Sequence, residues 1–258
     1  MRSEMALMTP DNVDAEERNE FYRSALTVMS KSDVRFMVGG TYAFERYTGI
    51  ARKTKDIDVF VASRDCRRVL HLLGGAGYGV EMTDPSWLAK AFHHRHLLDI
   101  VFNSGNGACP VDDEWFEHAP DAEVLGVRVK LCPVEETIWQ KAFIMERERF
   151  DGHDITHLIL FCGRGLDWER LLWRFGASWE VLLSHLILFQ FTYPGESDIV
   201  PRWVMRTLVS RLGGLEGATE QIERLCRGTL LSRYQYVSDI QEGDYRDAKL
   251  IEAKVEAA

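Results

Sequence analysis

Two apolar runs constrain the fold of this chain more than any other feature, because one leads into a pair of glycines and the other carries two aspartates. The first run ends in Gly39 and Gly40, and the second, which begins after residues 41–55, carries Asp56 and Asp58. Glycine lets the backbone approach a ligand closely, and a helix that starts there would direct free N–H groups at a phosphate. Carboxylates at positions i and i+2 of a strand lie on one side of it, roughly 7 Å apart. The pattern predicts a strand–helix–strand unit that binds phosphate and a divalent cation.

Each part of this pattern also has a purely structural explanation. The glycine pair alone would fit an ordinary strand-to-helix turn, and the two aspartates alone would fit an exposed strand face. Two carboxylates so close together repel each other, which raises one pKa, and a divalent cation removes that conflict. Oxygen ligands of this kind suit Mg²⁺.

The composition limits the class of protein. The chain has 258 residues, of which 46% are hydrophobic, enough for one large domain or two small ones. Its formal net charge of −9 excludes nucleic-acid binding through overall charge, so such binding would need a local basic patch. The five cysteines include no C-x-x-C pair, which indicates reduced thiols rather than a disulfide framework or a zinc site.

The sequence predicts a cytoplasmic protein without a membrane segment. Residues 1–14 are polar and lack the apolar core of a signal peptide. The most apolar segment, residues 181–191, is too short to span a bilayer and contains polar side chains.

The first half of the chain mixes predicted strands with predicted helices, and the second half is almost entirely helical. We predict strands over residues 34–38, 55–61, 78–82, 96–102 and 124–131, and early helices over 15–32, 41–47 and 64–73. Later helices are predicted over residues 133–147, 154–162, 167–175, 179–191 and 201–212. The fold class is therefore α+β, with a mixed-sheet domain over residues 1–132, a helical domain over 133–245 and a tail over 246–258.

Asp99 is an acidic residue in the middle of a strongly apolar strand. A carboxylate among apolar neighbours needs a partner, because burying an unpaired charge is costly. One partner would be a cation shared with Asp56 and Asp58. The alternative is a salt bridge with Arg95, which lies on the same face by strand alternation.

The order of these features resembles the nucleotidyltransferase superfamily that includes DNA polymerase beta, CCA-adding enzymes and aminoglycoside nucleotidyltransferases. Its signature is a glycine pair at a helix start, then D-x-D on the next strand, then a third carboxylate on a later strand. The resemblance implies that Gly39 and Gly40 bind the nucleotide phosphates. It also implies that Asp56, Asp58 and Asp99 are catalytic and hold two Mg²⁺ ions.

A second resemblance lies at the start of the helical half. Residues 133–141 are similar to the P-E-x-x-x-x-x-K segment of bacterial nucleotidyltransferase-like proteins related to abortive-infection toxins, and the charged residues 146–154 fit the segment that follows. This resemblance implies that Lys141 reaches the triphosphate. The alternative is that Lys141 is a solvent-exposed lysine on an amphipathic helix. Asp151 and Asp154 are predicted to cap a helix or to pair with arginines 147 and 149.

Other polar residues are weaker candidates. Lys55 is predicted to contact the nucleotide, as are Arg52 and Lys53, unless these loop side chains are simply solvated. The histidines of residues 93–96 would face opposite ways on a strand, so they are not expected to hold a metal ion together. His153 and His157 have helical spacing but lack the glutamate of the H-E-x-x-H pattern.

The implied function is Mg²⁺-dependent transfer of a nucleoside monophosphate from a nucleoside triphosphate to a hydroxyl acceptor, which would be a small molecule, a protein or an RNA end. One alternative is an aminoglycoside-type enzyme, which the acidic net charge mildly favours. Another is a non-catalytic binding partner in a toxin–antitoxin-like system. No residue identifies the base or the acceptor, and a homodimer remains an open expectation.

Overall fold

A seven-stranded mixed sheet organises the N-terminal half of the protein. The structure is a computed structural model that describes residues 10–213 and 224–250. The strands are β1 (Met37–Val38), β2 (Asp56–Phe60), β3 (Gly79–Asp84), β4 (Leu88–His93), β5 (His96–Val101), β6 (Asn103–Ser104), β7 (Cys109–Pro110), β8 (Asp121–Val124), β9 (Val127–Leu131), β10 (Leu225–Cys226) and β11 (Arg246–Asp247). The order in the large sheet is β3-β4-β5-β2-β1-β9-β8, while β6–β7 and β10–β11 form two small ribbons.

Helices flank the sheet and make up most of the second half. They are α1 (Pro10–Ser30), α2 (Gly40–Thr48), α3 (Ser63–Gly75), α4 (Asp113–His118), α5 (Val134–Ala142), α6 (Gly152–Cys162), α7 (Trp168–Phe175), α8 (Trp179–Thr192), α9 (Arg202–Gly213), α10 (Gly228–Leu231) and α11 (Val237–Gln241). Short 3-10 helices cover Gly105–Gly107, Gly163–Gly165, Gly176–Ser178 and Pro194–Ile199. The α+β prediction is confirmed. None of the helices in the described ranges is both long and apolar enough to cross a membrane.

Side-chain alternation gives the central strands one fully apolar face. Ile57, Val59 and Val61 are completely buried, as predicted, and they share a hydrophobic cluster with residues of α1 and α3. Leu98 and Ile100 of β5 lie in the same cluster. The helices α1 and α3 therefore cover this face of the sheet, which leaves the opposite face for chemistry.

The opposite face is apolar at one end and acidic at the other. Phe60 and Val101 belong to a second hydrophobic cluster that continues into the helical half of the chain. Asp56 and Asp58 precede Phe60 on the same side of β2, and Asp99 precedes Val101 on the same side of β5. The helical half thus packs on the apolar end of this face and stops beside the carboxylates.

A buried ionic network ties the two halves together. Glu136 of α5 is fully buried and accepts hydrogen bonds from Arg170 (2.6 Å) and Arg174 (2.9 Å) of α7. Arg174 also binds both carboxylate oxygens of Asp112, which caps α4. Glu135 accepts a hydrogen bond from Arg170 and pairs with it. Each buried charge therefore has an opposite charge beside it, which such burial requires.

One predicted strand is a hairpin. Residues 124–131 were expected to form a single strand, but the chain turns at Leu125 (φ 51°) and Gly126 (φ 80°) between β8 and β9. Two successive residues with positive φ are typical of a tight hairpin turn. The prediction was wrong because the apolar alternation continues across the turn and only Gly126 signalled it.

The predicted helix over residues 133–147 ends early. Pro133 is the N-cap rather than the first helical residue, and α5 stops at Ala142. The chain then folds into a hairpin-like turn, in which the amide of Glu146 donates to the carbonyl of Arg149 (2.8 Å) and Met145 pairs with Phe150. The charged residues of the turn have no apolar face to pack. This turn returns Arg149 towards α5.

Several smaller predictions also need correction. β4 and α4 were not predicted, and the first strand is only two residues long. His94 (φ 54°) lies in the turn between β4 and β5, so residues 93–96 are not one strand. Ser63 begins α3, and Ala62 is its N-cap. The predicted tail contains β11, and its residues 251–258 lie outside the described ranges.

Candidate active site

The strand register brings the three predicted carboxylates onto one surface. β2 and β5 run parallel, and Asp58 pairs directly with Asp99 while Asp56 pairs with Leu97. Paired strands lie roughly 4.8 Å apart, so Asp58 and Asp99 are immediate neighbours. All three aspartates are partly buried. The structure therefore assembles an acidic cluster in which Asp58 and Asp99 are 41 positions apart in the sequence.

The glycine pair allows the start of α2 to approach β2 closely. Gly40 has a positive φ of 54°, and a Cβ atom placed on it would lie 1.8 Å from Oδ2 of Asp58. A Cβ on Gly39 would lie 2.3 Å from the ring of Phe60. The amide of Gly39 donates a hydrogen bond to the carbonyl oxygen of Asp58 at 2.9 Å. Any side chain at Gly40 would collide with the carboxylate, so glycine is required there.

The acidic cluster carries more negative charge than its surroundings neutralise. Burial and the neighbouring charges of Asp56 and Asp99 together raise the pKa of Asp58 from 3.8 to about 7, although Lys141 and Arg149 oppose the rise. Burial also raises the pKa of Asp99 above its usual value. The repulsion expected from the sequence is therefore present, and a bound cation would relieve it.

The partner of Asp99 is a lysine that the sequence did not indicate. Nζ of Lys90 lies 3.0 Å from Oδ1 of Asp99, and the two residues are paired between β4 and β5. Arg95, the predicted alternative, lies in the turn and binds Asp14 instead. Lys90 was missed because β4 was not predicted.

Asp56 and Lys55 lie at the entry to β2. Oγ1 of Thr54 donates a hydrogen bond to Oδ1 of Asp56 at 2.8 Å, which holds that carboxylate towards the loop. The carbonyl oxygen of Lys55 accepts a hydrogen bond from the hydroxyl of Tyr22 at 3.0 Å. The residue Lys55 itself is exposed. The structure thus places Lys55 beside the acidic cluster without bringing its side chain into the cavity described below.

Lys141 belongs to a partly buried charge cluster rather than to an open surface. Its Nζ lies 3.1 Å from Asp151 and 2.8 Å from Asp154, both of which are buried. Arg149 binds both oxygens of Asp151, at 2.9 and 3.0 Å. The predicted pairing of Asp151 with Arg149 is observed, whereas Arg147 contacts Glu148 instead. Two cations are thereby held beside Asp58.

A cavity of about 200 Å³ extends from the acidic cluster into the space between the sheet and the helical half. Its lining includes Gly40, Asp58, Lys141 and Arg149, together with Trp87, Asn106 and Arg233. Asp56 and Asp99 lie outside the lining, on the far side of Asp58. No local sequence signal connects Trp87 with Arg233, since their proximity arises only from the tertiary fold.

The donor chemistry of the acidic cluster fits Mg²⁺. Three carboxylates on one face provide only oxygen ligands, and a divalent cation would relieve their mutual repulsion, which together with burial raises the pKa of Asp58. As the side chains stand, no three or more His, Cys, Asp or Glu in the described ranges are close enough together to hold an ion. Asp56 is turned to Thr54 and Asp99 to Lys90, so both would have to rotate to share a cation.

Among solved structures, three nucleotidyl-transferring enzymes illustrate the similarity. The antibiotic-resistance factor ANT(2'')-Ia is 16% identical with a TM-score of 0.45, and the match covers 79% of this chain and 96% of that one. The lincosamide antibiotic adenylyltransferase LnuA, bound to lincomycin, is 18% identical with a TM-score of 0.38, covering 55% and 95%. Terminal uridylyl transferase 4 from Trypanosoma brucei, with bound CTP, is 15% identical with a TM-score of 0.30, covering 58% and 50%.

These distant likenesses carry no further argument, and no curated protein sequence matches the chain. A family model supplies the assignment instead. It matches residues 18–159, which include the glycine pair, the three aspartates and Lys141, and span more than half of the chain. Its description is "Nucleotidyl transferase of unknown function (DUF2204)". The expectation of a nucleotidyltransferase is therefore confirmed, and this chain belongs to that nucleotidyl transferase family.

Proposed function

We propose that the protein transfers a nucleoside monophosphate from a nucleoside triphosphate to a hydroxyl acceptor in a Mg²⁺-dependent reaction. The observation that carries this proposal is the position of Asp58. It lies against Gly40 on one side, pairs with Asp99 on the other, and shares a cavity with Lys141 and Arg149. This arrangement combines carboxylates for a cation with positive charges for phosphates.

Lys141 and Arg149, two cations that line the cavity, suit the triphosphate. Two of the three ammonium donors of Lys141 are directed at Asp151 and Asp154, and the third is available for a phosphate oxygen. Arg149 uses Nε and one Nη to bind Asp151, so its other Nη can donate to a phosphate. The first turn of α2, which begins at Gly40, would add backbone N–H donors.

The three aspartates would share the remaining roles. Asp56, Asp58 and Asp99 would hold two Mg²⁺ ions, which when bound neutralise the phosphates and stabilise the attacking and leaving oxygens. Asp99 would accept the proton of the acceptor hydroxyl. The hydroxyl oxygen would form a bond to the α-phosphorus while the bond between the α-phosphorus and the oxygen that bridges to the β-phosphate breaks. Pyrophosphate would leave past Lys141 and Arg149.

The acceptor would approach Asp99 from the edge of the acidic cluster that lies away from the glycine pair. β5 lies between β2 and β4 in the sheet, so Asp99 lies on the side of Asp58 opposite to the glycine pair. Leu97 is exposed on the same face. This surface leaves room for a small molecule, a protein or an RNA end, and the net charge of −9 favours a cationic acceptor.

Labelled nucleotides provide the test. The protein would be incubated with Mg²⁺, a cell extract and each of four nucleoside triphosphates labelled at the α-phosphate. Transfer of label to any acceptor is expected, with at least a hundred-fold loss in Asp58→Asn and Asp99→Asn. Asp121→Asn, at a side chain that is 91% exposed, is the matched control.

The outcome separates the enzyme from a non-catalytic binding partner. Label in a product identifies the acceptor class, and chelation of Mg²⁺ should abolish it. Absence of label with all four nucleotides, together with no effect of the substitutions at Asp58 and Asp99 on nucleotide binding, would contradict the proposed function.

A further inference from the structure

Two flat side chains form part of the cavity wall. The guanidinium of Arg233 lies over the indole ring of Trp87, with its carbon 4.4 Å from the ring centroid. Trp87 is partly buried and Arg233 is exposed, and both line the cavity. A paired arginine and tryptophan of this kind present a planar surface that combines π electrons with positive charge.

Hydrogen bonds hold Trp87 and Arg233 in this arrangement. Nε1 of Trp87 donates to Asp84 at 3.0 Å. Nε of Arg233 donates to Oδ1 of Asn106 at 3.1 Å, and its backbone amide donates to Glu146 at 2.9 Å. The planar pair is therefore positioned by groups on the sheet, on the turn after α5 and on the loop before β7.

Asn106 is the central member of this support. It is only 5% exposed, and its Nδ2 donates to the carbonyl oxygens of Phe143 and Leu231, both at 2.9 Å. Its backbone has a positive φ of 56°, which asparagine tolerates better than most residues. Asn106 thus joins three segments that are far apart in the sequence and fixes the position of Arg233.

From this geometry we propose that Trp87 and Arg233 bind the base of the donor nucleotide. The same cavity is lined by the cations Lys141 and Arg149 and by this planar pair. A nucleoside triphosphate has the matching chemistry, with a polyanion at one end and a flat heteroaromatic ring at the other. Bases stack on indole and guanidinium planes with little dependence on their identity. The inference rests on the proposed function and adds the site of the nucleoside.

Arg233 extends the site beyond the matched family region. Trp87 lies within residues 18–159, whereas Arg233 lies in the later segment after α10. The C-terminal part of the chain would therefore complete the nucleotide site rather than serve only as a support. Binding of the base would depend on this segment, while binding of the phosphates would not.

A comparison of two probes tests this separation. Calorimetry would measure the affinity of the full chain for each Mg²⁺–nucleoside triphosphate and for Mg²⁺–tripolyphosphate, which has the phosphates without a base. Trp87→Leu and Arg233→Gln should weaken nucleotide binding by about 5- to 150-fold, the range expected for loss of one stacked base. Both should leave tripolyphosphate binding within two-fold of the wild type.

Two controls define the result. Lys141→Ala should weaken both probes, and Arg246→Ala, at an exposed residue of the same C-terminal segment, should weaken neither. Equal losses for the two probes in Trp87→Leu and Arg233→Gln would overturn the inference, as would unchanged nucleotide affinity in both. The inference would also be overturned if the wild type binds nucleoside triphosphates no more tightly than tripolyphosphate. Failure of the wild type to bind either probe would instead refute the proposed function, and the inference with it.

Discussion

Replacing Asp58 by asparagine should stabilise the metal-free fold at neutral pH. The carboxylate of Asp58 lies against Gly40, is partly buried, and is repelled by Asp56 and Asp99. Asparagine has nearly the same shape but carries no charge, so it keeps the packing and removes the repulsion. The same substitution should remove the proposed Mg²⁺ ligand. Greater stability would therefore accompany loss of function.

The magnitude follows from the pKa of Asp58, which is about 7 against an ordinary value of 3.8. Each pH unit of difference corresponds to about 1.4 kcal/mol, so the ionised carboxylate costs the folded state about 4 kcal/mol at pH 8. Between about pH 4 and pH 7 the folded state retains a proton that the unfolded state has released, so stability falls as the pH rises. At pH 5 the cost is only about 2 kcal/mol.

Urea denaturation in the presence of a chelator measures this difference. Asp58→Asn should raise the free energy of unfolding by about 4 kcal/mol at pH 8 and by about 2 kcal/mol at pH 5. Addition of Mg²⁺ should stabilise the wild type and leave the variant unchanged. Asp121→Asn should behave like the wild type at both pH values. A stabilisation by Asp58→Asn that is absent, or equal at the two pH values, would refute the reasoning.

Two further substitutions test the backbone of the site and the junction between the halves. Gly49→Ala should cost about 1–2 kcal/mol because this glycine has a positive φ, and Gly40→Ala should cost more, because a collision with Asp58 is added to its positive φ. Only Gly40→Ala should also weaken Mg²⁺–nucleotide binding, by ten-fold or more, since its Cβ would lie 1.8 Å from a carboxylate oxygen whereas that of Gly49 meets open space. Glu136→Gln should lower the free energy of unfolding in urea by about 3 kcal/mol, because it removes one of the two carboxylates that pair with each of Arg170 and Arg174. Glu169→Gln, at an exposed residue of α7, should change it by less than about 0.5 kcal/mol, and equal effects of the two would contradict the assigned role of the network.

The predictions that agreed with the structure rest on properties of neighbouring residues. Alternation along β2 was enough to place Asp56 and Asp58 on one side and Ile57 and Val59 in the core. The helix predicted over residues 41–47 corresponds to α2, which ends at Thr48 before Gly49 in the left-handed conformation that is common after a helix. Such features depend on the chain over a few residues, so they could be predicted without knowledge of the fold.

The predictions that failed depend on contacts between distant segments or on elements with a weak signal. The helix expected to reach Arg147 stops at Ala142, and the chain turns back through a hydrogen bond between Glu146 and Arg149. The partner expected for Asp99 was Arg95, but Lys90 takes this place through pairing of β4 with β5. Neither outcome could be inferred from the residues adjacent in sequence.

The sequence by itself determined the fold class, the glycine pair beside a helix start, and the identity of the carboxylates that could face a nucleotide. Only the tertiary structure decided which charges surround them: Lys90 across a strand pair, and Arg149 through a turn. It also brought Trp87 and Arg233 together in the wall of the same cavity. The physical reason is that ion pairing and stacking depend on distances in space, whereas helix starts and side-chain alternation depend on neighbours along the chain.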